Sequence, residues 1–167
     1  MPTQRTPAPK PGRPRDPSAP PKPRRPRDEL GRPLPWKAQN RLELEDYDSL
    51  SLEENHRLGV EHLNGGRFFP AHEAWETCWK QAKETKEAEF FKGLSQLGAG
   101  YTHLLRGNLH GAYTLLRRGA GRILRYETPH RGIDVKRLGD VALAQADTIE
   151  GAERAGDEPA EIHPPRI

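Results

Sequence analysis

The sequence predicts an all-α protein: a compact bundle of about five helices, arranged as helical hairpins, with a disordered basic proline-rich arm at the N-terminus. Apolar residues recur at helical spacing from residue 52 onwards. Capping residues and glycine-containing breaks divide these stretches into segments of ordinary helix length. No stretch shows the polar and apolar alternation between turn signals that is typical of strands.

The N-terminal arm is distinguished by its composition. Residues 1–37 contain 12 of the 17 prolines and ten Lys and Arg against three acidic residues, a net charge of +7, whereas the remaining chain carries −4. Such a segment buries too little apolar surface to offset the entropy lost on ordering. We therefore predict a disordered extension over residues 1–47, a helical domain over 48–156 and a mobile C-terminal tail over 157–167. Spaced cations in residues 1–37 also predict weak contact with nucleic acid or another polyanion.

Several protein classes are disfavoured by composition. Cys78 is the single cysteine, which excludes an internal disulfide framework and suits a reducing compartment. The N-terminus has no apolar signal-like region. The longest uncharged run, residues 93–105, has thirteen residues, fewer than the roughly 18 needed to span a bilayer. We expect a cytoplasmic protein without membrane contact.

The first two helices have recognisable starts and stops. Ser51 and Glu54 have the spacing of a capping box, so the first helix is predicted to begin there. It is predicted to end at the Asn-Gly-Gly of residues 64–66. Pro70 suits the first turn of a second helix, because its missing N–H has no partner at that position. That helix is predicted to end near Lys83.

Three further helices are predicted from apolar periodicity, chain breaks and capping residues. A strongly apolar third helix is predicted over residues 86–106, and a break at residues 106–108 precedes a fourth helix over 109–123. Asp134 can cap a fifth helix that fades by about Gly156.

The second helix carries the residues with the clearest chemical potential. His72, Glu76 and Trp79 follow spacings of four and three, so they share one helical face, and Trp75 places this face towards the core. Glu73 and Glu76 also lie early in the helix, where its dipole favours negative charge. A carboxylate directed at a core needs a cation, hydrogen-bond donors or a metal.

The third helix offers facing partners. Glu89, Gln96 and His103 are separated by seven residues each, with Gly93 and Gly100 between them. A glycine in a helix interior costs about 1 kcal/mol relative to alanine, so this stripe is expected to pack closely against a neighbour. We expect that neighbour to be the second helix.

Two interpretations of this site stay open. In the first, His72, Glu76 and His103 bind a divalent transition metal such as zinc, manganese or iron, with Gln96 or water completing the site. In the second, the same side chains form a buried hydrogen-bond network in a non-enzymatic helical-hairpin interaction module. No catalytic residue is assigned, and whether the protein is an enzyme stays open.

Other polar residues favour structural roles. His56 lies on the apolar side of the first helix without a carboxylate one turn away on that face, which favours a hydrogen-bonded core histidine. Cys78 has no CxxC companion and is interpreted as a buried thiol. Arg118, Arg122 and Arg125 share one helical face, which could bind phosphate but is more typical of a solvated surface.

Three blocks of the sequence, "NGGRFFPAHEAWETCW", "FFKGLSQLGAGYTHLLRGN" and "GIDVKRL", resemble the bacterial and archaeal family called domain of unknown function 309. The family signature H-x-x-x-E-x-x-W falls on His72, Glu76 and Trp79. The likeness extends over residues 55–149. It implies a compact all-helical domain without an established activity, for which metal binding through the signature His and Glu has been proposed.

Overall fold

The computed structural model describes residues 23–167, and within this range it contains helices and no strand. The all-α prediction is confirmed. No helix in the described range is both long and apolar enough to cross a bilayer. The five helices are α1 (Leu52–Asn64), α2 (Phe68–Gln81), α3 (Ala88–Leu105), α4 (Leu109–Ile123) and α5 (Val135–Ala155).

The helix ends are set by local capping. The Ser51 hydroxyl accepts a hydrogen bond from the Glu54 N–H, and the Glu54 carboxylate accepts one from the Ser51 N–H, so the predicted capping box is present. Asp134 caps α5 as predicted, by accepting from the Arg137 N–H at 3.0 Å. Gly156 ends α5 in the left-handed conformation, with φ of 71°.

The bundle is built by packing consecutive helices against each other, α1 on α2, α2 on α3, α3 on α4 and α4 on α5. Short connections make α1 to α4 hairpin-like neighbours, and a longer segment, residues 124–134, joins α4 to α5. Helix α3 therefore lies between α2 and α4 and carries much of the core. The largest fully buried side chains are Trp75, Tyr101, Phe90, Phe91, Leu63, Leu94, Leu97, Leu116, Ile123, Ile133, Leu138 and Ile149.

The glycine stripe of α3 faces α4, so the prediction that it faces the second helix is wrong. A Cβ atom at Gly93 would lie 2.7 Å from Ile123, and one at Gly100 would lie 3.0 Å from Leu116. Residues seven apart share one face of a helix, and this regularity is what the sequence displays. Which neighbour meets that face depends on the order of packing, since α3 has a helix on each side.

Residues 23–47 pack against the bundle, although the sequence assigns them to the extension. The Asp28 carboxylate is buried and accepts hydrogen bonds from the backbone N–H groups of Leu30 and Arg32, which folds a compact loop. Arg106 donates from Nε and Nη2 to the Leu30 carbonyl and so attaches this loop to the end of α3. Leu42 is also buried. The predicted arm that remains, residues 1–22, lies outside the described residues.

The C-terminal tail also returns to the bundle. Asn64 at the end of α1 donates from Nδ2 to the Ile167 carbonyl at 2.7 Å and accepts from the Ile167 N–H at 2.9 Å. Gln145 of α5 donates to the His163 carbonyl at 2.6 Å. Residues 157–167, predicted to be a mobile tail, are therefore tied at two points to helices distant in sequence.

Candidate functional site

Three side chains of α2 converge at the surface beside α3. His72 Nε2 lies 3.3 Å from Glu76 Oε2 and 3.8 Å from Glu73 Oε1. One ligand atom from each of the three residues falls within a cluster whose members are no more than 4.8 Å apart. The side chains are 24% to 31% exposed, so the cluster is half-buried and solvent can reach it. We call these three residues the His–Glu cluster.

Helix α3 fixes the orientation of the His72 ring. Nδ1 lies 3.0 Å from the Ser95 carbonyl oxygen and 2.9 Å from the Ser95 hydroxyl. The backbones of α2 and α3 approach closely here: a Cβ atom at Gly98 would lie 2.9 Å from the backbone nitrogen of His72. With Nδ1–H donating to the carbonyl, Nε2 is directed at the two carboxylates. Histidines that bind metals usually have this arrangement, in which the second ring nitrogen donates to a backbone carbonyl or carboxylate.

The Glu76 carboxylate pairs with two basic side chains, His72 and Lys80. Lys80 Nζ lies 2.8 Å from Glu76 Oε1, whereas His72 pairs with Oε2. The hydrogen bond from His72, reinforced by Lys80, lowers the pKa of Glu76 to about 2. Burial lowers the pKa of His72, but the hydrogen bonds to Glu76 and to the Ser95 carbonyl outweigh it and raise this pKa above its ordinary value. When His72 is protonated, its imidazolium and the Glu76 carboxylate form a charge-assisted pair.

The α3 residues predicted to complete the site lie elsewhere. His103 Nδ1 is 3.0 Å from the Asn108 side-chain nitrogen at the start of α4. Gln96 Oε1 accepts a hydrogen bond from Arg122 Nε at 3.0 Å. Both residues belong to the stripe that faces α4, so the structure does not bring them to the His–Glu cluster.

Trp79 lies one turn beyond Glu76 and supports this part of α2. Its ring is partly buried against the core, and Lys92 Nζ of α3 lies 5.0 Å from the ring centroid. A cation over an indole face is attracted by the ring quadrupole. Trp79 therefore helps to join α2 to α3 near the cluster and makes no direct contribution of ligand atoms.

Glu73 is the cluster member that sequence reasoning missed. From the sequence Glu73 is predicted only to complement the dipole of α2, because it is adjacent to His72 and is not four residues from it. Its carboxylate nevertheless reaches back to the imidazole. The signal present in the sequence was its position three residues before Glu76, which brings the two carboxylates to neighbouring sites on the helix surface.

His56 has the structural role that the sequence favoured. Its Nδ1 accepts from the Trp75 indole N–H at 3.2 Å, and its Nε2 lies 3.1 Å from the Arg131 carbonyl. These partners require a neutral ring with the proton on Nε2, because the indole can only donate. Burial lowers the pKa of His56 below its ordinary value.

We expect His56 to make the fold sensitive to acid. Its pKa is lower in the folded than in the unfolded chain, so its contribution is present above an ordinary pKa of 6.5 and is lost as pH falls through the folded pKa. Denaturant titrations between pH 7.5 and 5.5 should give a free energy of unfolding that depends less on pH in His56→Gln than in wild type. The difference in slope is at most about 1.4 kcal/mol per pH unit.

Glutamine is suited to this test because its amide can accept from the indole and donate to the carbonyl, as the neutral ring does. His163→Gln, at an exposed side chain, is the matched control and should retain the wild-type slope. Parallel curves for wild type and His56→Gln would contradict the prediction.

Cys78 is a buried thiol, as predicted. It is fully inaccessible, and burial raises its pKa to about 12. A thiol that stays protonated at neutral pH is a poor nucleophile. The described structure therefore gives Cys78 a packing role.

Comparison with known proteins identifies the segment that contains the cluster. Residues 56–115 match the family model described as Domain of unknown function (DUF309). The match begins within α1 and ends within α4, and it includes His72, Glu76 and Trp79, so the resemblance drawn from the motif is confirmed over this range. No curated protein and no solved structure matches the chain.

Proposed function

We propose that the DUF309 segment of this chain, residues 56–115, binds a divalent transition metal at His72, Glu73 and Glu76. The observation that supports this proposal is the convergence of His72 Nε2 and two carboxylates while Ser95 holds the other ring nitrogen. An orienting partner of this kind is expected for a metal-binding imidazole.

The donor set fits a particular group of metals. One imidazole with two carboxylates suits zinc, manganese or iron better than calcium or a thiolate-bound metal. Three protein ligands leave a coordination position open, as in catalytic zinc sites, whereas structural zinc sites use four. A metal bound here would supply Lewis acidity towards a coordinated oxygen.

The surrounding residues prepare this cluster for a cation. Ser95 keeps the proton of neutral His72 on Nδ1, which leaves the Nε2 lone pair for the metal. The low pKa of Glu76 keeps its carboxylate ionised across the physiological range. Lys80 contacts only one oxygen of Glu76, so the other oxygen, 3.3 Å from His72 Nε2, is free to bind the metal together with the imidazole.

A second candidate function is a non-enzymatic helical-hairpin interaction module. It is favoured by the pairing of Glu76 with both His72 and Lys80, which compensates the half-buried carboxylate without an ion. In this case the His–Glu cluster joins α2 to α3, and the exposed faces of the hairpins would contact a partner.

Metal analysis of the purified full chain separates the two functions. We expect about one equivalent of metal per chain in wild type and a large loss in His72→Gln and in Glu73→Gln. His103→Gln is the matched control, because His103 lies outside the cluster, and it should retain the metal. Chelation should lower the melting temperature of wild type, since a ligand that binds only the folded state stabilises it by about 2.7 kcal/mol at 100 times its Kd.

The opposite pattern would overturn the metal proposal. If wild type remains metal-free after incubation with zinc, manganese or iron, and His72→Gln still lowers the melting temperature, the cluster is a structural network. If His103→Gln loses the metal as completely as His72→Gln, the ligand set proposed here is incorrect.

A further inference from the structure

A cavity of about 650 Å³ lies between the N-terminal segment and α2, next to the His–Glu cluster. This volume falls within the range of roughly 300–1,000 Å³ that is usual for small-molecule sites. Its polar lining comes from Arg24, Arg25, Arg27 and Asn40 of the segment and from Glu73 of α2. Leu42, Leu44 and Phe69 contribute apolar walls.

Two of the arginines, Arg25 and Arg27, are positioned at the cavity by contacts of their guanidinium groups. Arg25 donates from Nε to the Leu34 carbonyl, and Arg27 donates from Nη1 to the Gly31 carbonyl. The Arg27 guanidinium lies 5.6 Å from the centroid of the Phe69 ring, within the range of a cation–π contact. A guanidinium has five N–H donors, so most donors of Arg25 and Arg27 stay available.

We propose that this cavity binds the phosphate group of a small phosphorylated ligand. Three guanidinium groups against one carboxylate give the cavity a positive potential, which favours a dianion over a monoanion. The forked donors of arginine match phosphate oxygens. Leu44 and Phe69 provide apolar surface for the organic part of the ligand, and this concave apolar wall distinguishes the site from a flat basic surface.

Glu73 connects the cavity to the His–Glu cluster. Its carboxylate lines the cavity and also lies 3.8 Å from His72 Nε2. A phosphorylated ligand would therefore lie beside the metal proposed above, and this relation rests on the proposed function. Phosphate binding itself depends on the arginines and can be measured without a metal.

The three arginines of the cavity, Arg24, Arg25 and Arg27, lie outside the segment that matches the family model. Residues 24–44 precede the match over 56–115, whereas Phe69 and Glu73 lie within it. The N-terminal segment thus adds cationic groups beside a cluster that the matched segment supplies.

The test is calorimetric titration of the full chain with phenyl phosphate, in chelator and at low salt. We expect Arg24→Gln/Arg25→Gln to raise the Kd for phenyl phosphate about tenfold or more, because the loss of a single hydrogen bond to a charged group can weaken binding by about that factor. Arg118→Gln/Arg125→Gln is the matched control, because it removes the same charge from exposed positions in α4 and just after it, and it should retain wild-type affinity. Phenol should not bind, and inorganic phosphate should bind more weakly than phenyl phosphate.

Three outcomes would overturn the proposal. Phenyl phosphate could fail to bind wild type, or both double variants could lose affinity equally, which would indicate general electrostatic attraction. A single-stranded oligonucleotide that binds in preference to phenyl phosphate would instead indicate a polyanion surface. Metal content of Arg24→Gln/Arg25→Gln should equal that of wild type, so failure of phosphate binding is distinguishable from failure of the metal site.

Discussion

Trp75→Ala is expected to lower the free energy of unfolding by about 3–5 kcal/mol, the usual range for removing a large aromatic side chain from a core. Trp75 is fully buried, and its indole N–H donates to His56. Gly59 of α1 packs directly on the indole, because a Cβ there would lie 2.5 Å from it. The substitution therefore leaves a cavity between α1 and α2 and removes the donor for a buried ring nitrogen.

Denaturant titration monitored by far-ultraviolet circular dichroism measures this loss. Trp36→Ala is the matched control, because Trp36 is 64% exposed and its removal should change the free energy of unfolding by less than about 0.5 kcal/mol. If the two variants were equally stable, the α1 and α2 interface described here would be incorrect.

Gly98→Ala is expected to destabilise the fold by about 1–3 kcal/mol, the typical cost of overpacking. The added Cβ would lie 2.9 Å from the backbone nitrogen of His72 and 3.1 Å from its Cα. Backbone atoms cannot rotate away as a flexible side chain can, so α2 must move relative to α3. That movement should also lengthen the contact between His72 and Ser95 and weaken the metal binding proposed above.

Gly121→Ala is the matched substitution with the opposite expected sign. Gly121 lies in α4, and nothing approaches within 4 Å of the position of its Cβ. Alanine there should stabilise the protein by about 0.5–1 kcal/mol through helix propensity alone. Thermal and denaturant unfolding of the two variants side by side would test this contrast, and a stabilised Gly98→Ala would show that the helices do not meet as described.

Much of the secondary structure could be predicted from local sequence. Ser51, Glu54 and Asp134 cap helices through bonds to residues three positions away, so their effect does not depend on the rest of the fold. Pro70 lies in the first turn of α2 for the same local reason. The pairing of His72 with Glu76 was also predictable, because residues four apart meet on any α-helix.

Residues 23–47 make contacts that composition alone does not reveal. Their proline and charge content predict disorder, yet Asp28 organises a loop that Arg106 and Phe69 hold against the bundle. Arg106 is 76 positions away from Leu30, the residue whose carbonyl it binds. Composition averages over a segment, whereas this attachment depends on a few specific contacts.

By itself the sequence determined the class of the fold, the order and ends of its helices and the His72 and Glu76 pair, because these follow from short-range geometry. Only the tertiary structure decided which faces meet. It turned the stripe of Gln96 and His103 towards α4, brought Glu73 to the imidazole and placed three arginines at a cavity beside it. The physical reason is that helical periodicity specifies which residues share a face, while the neighbour of that face is chosen by the packing of the whole chain.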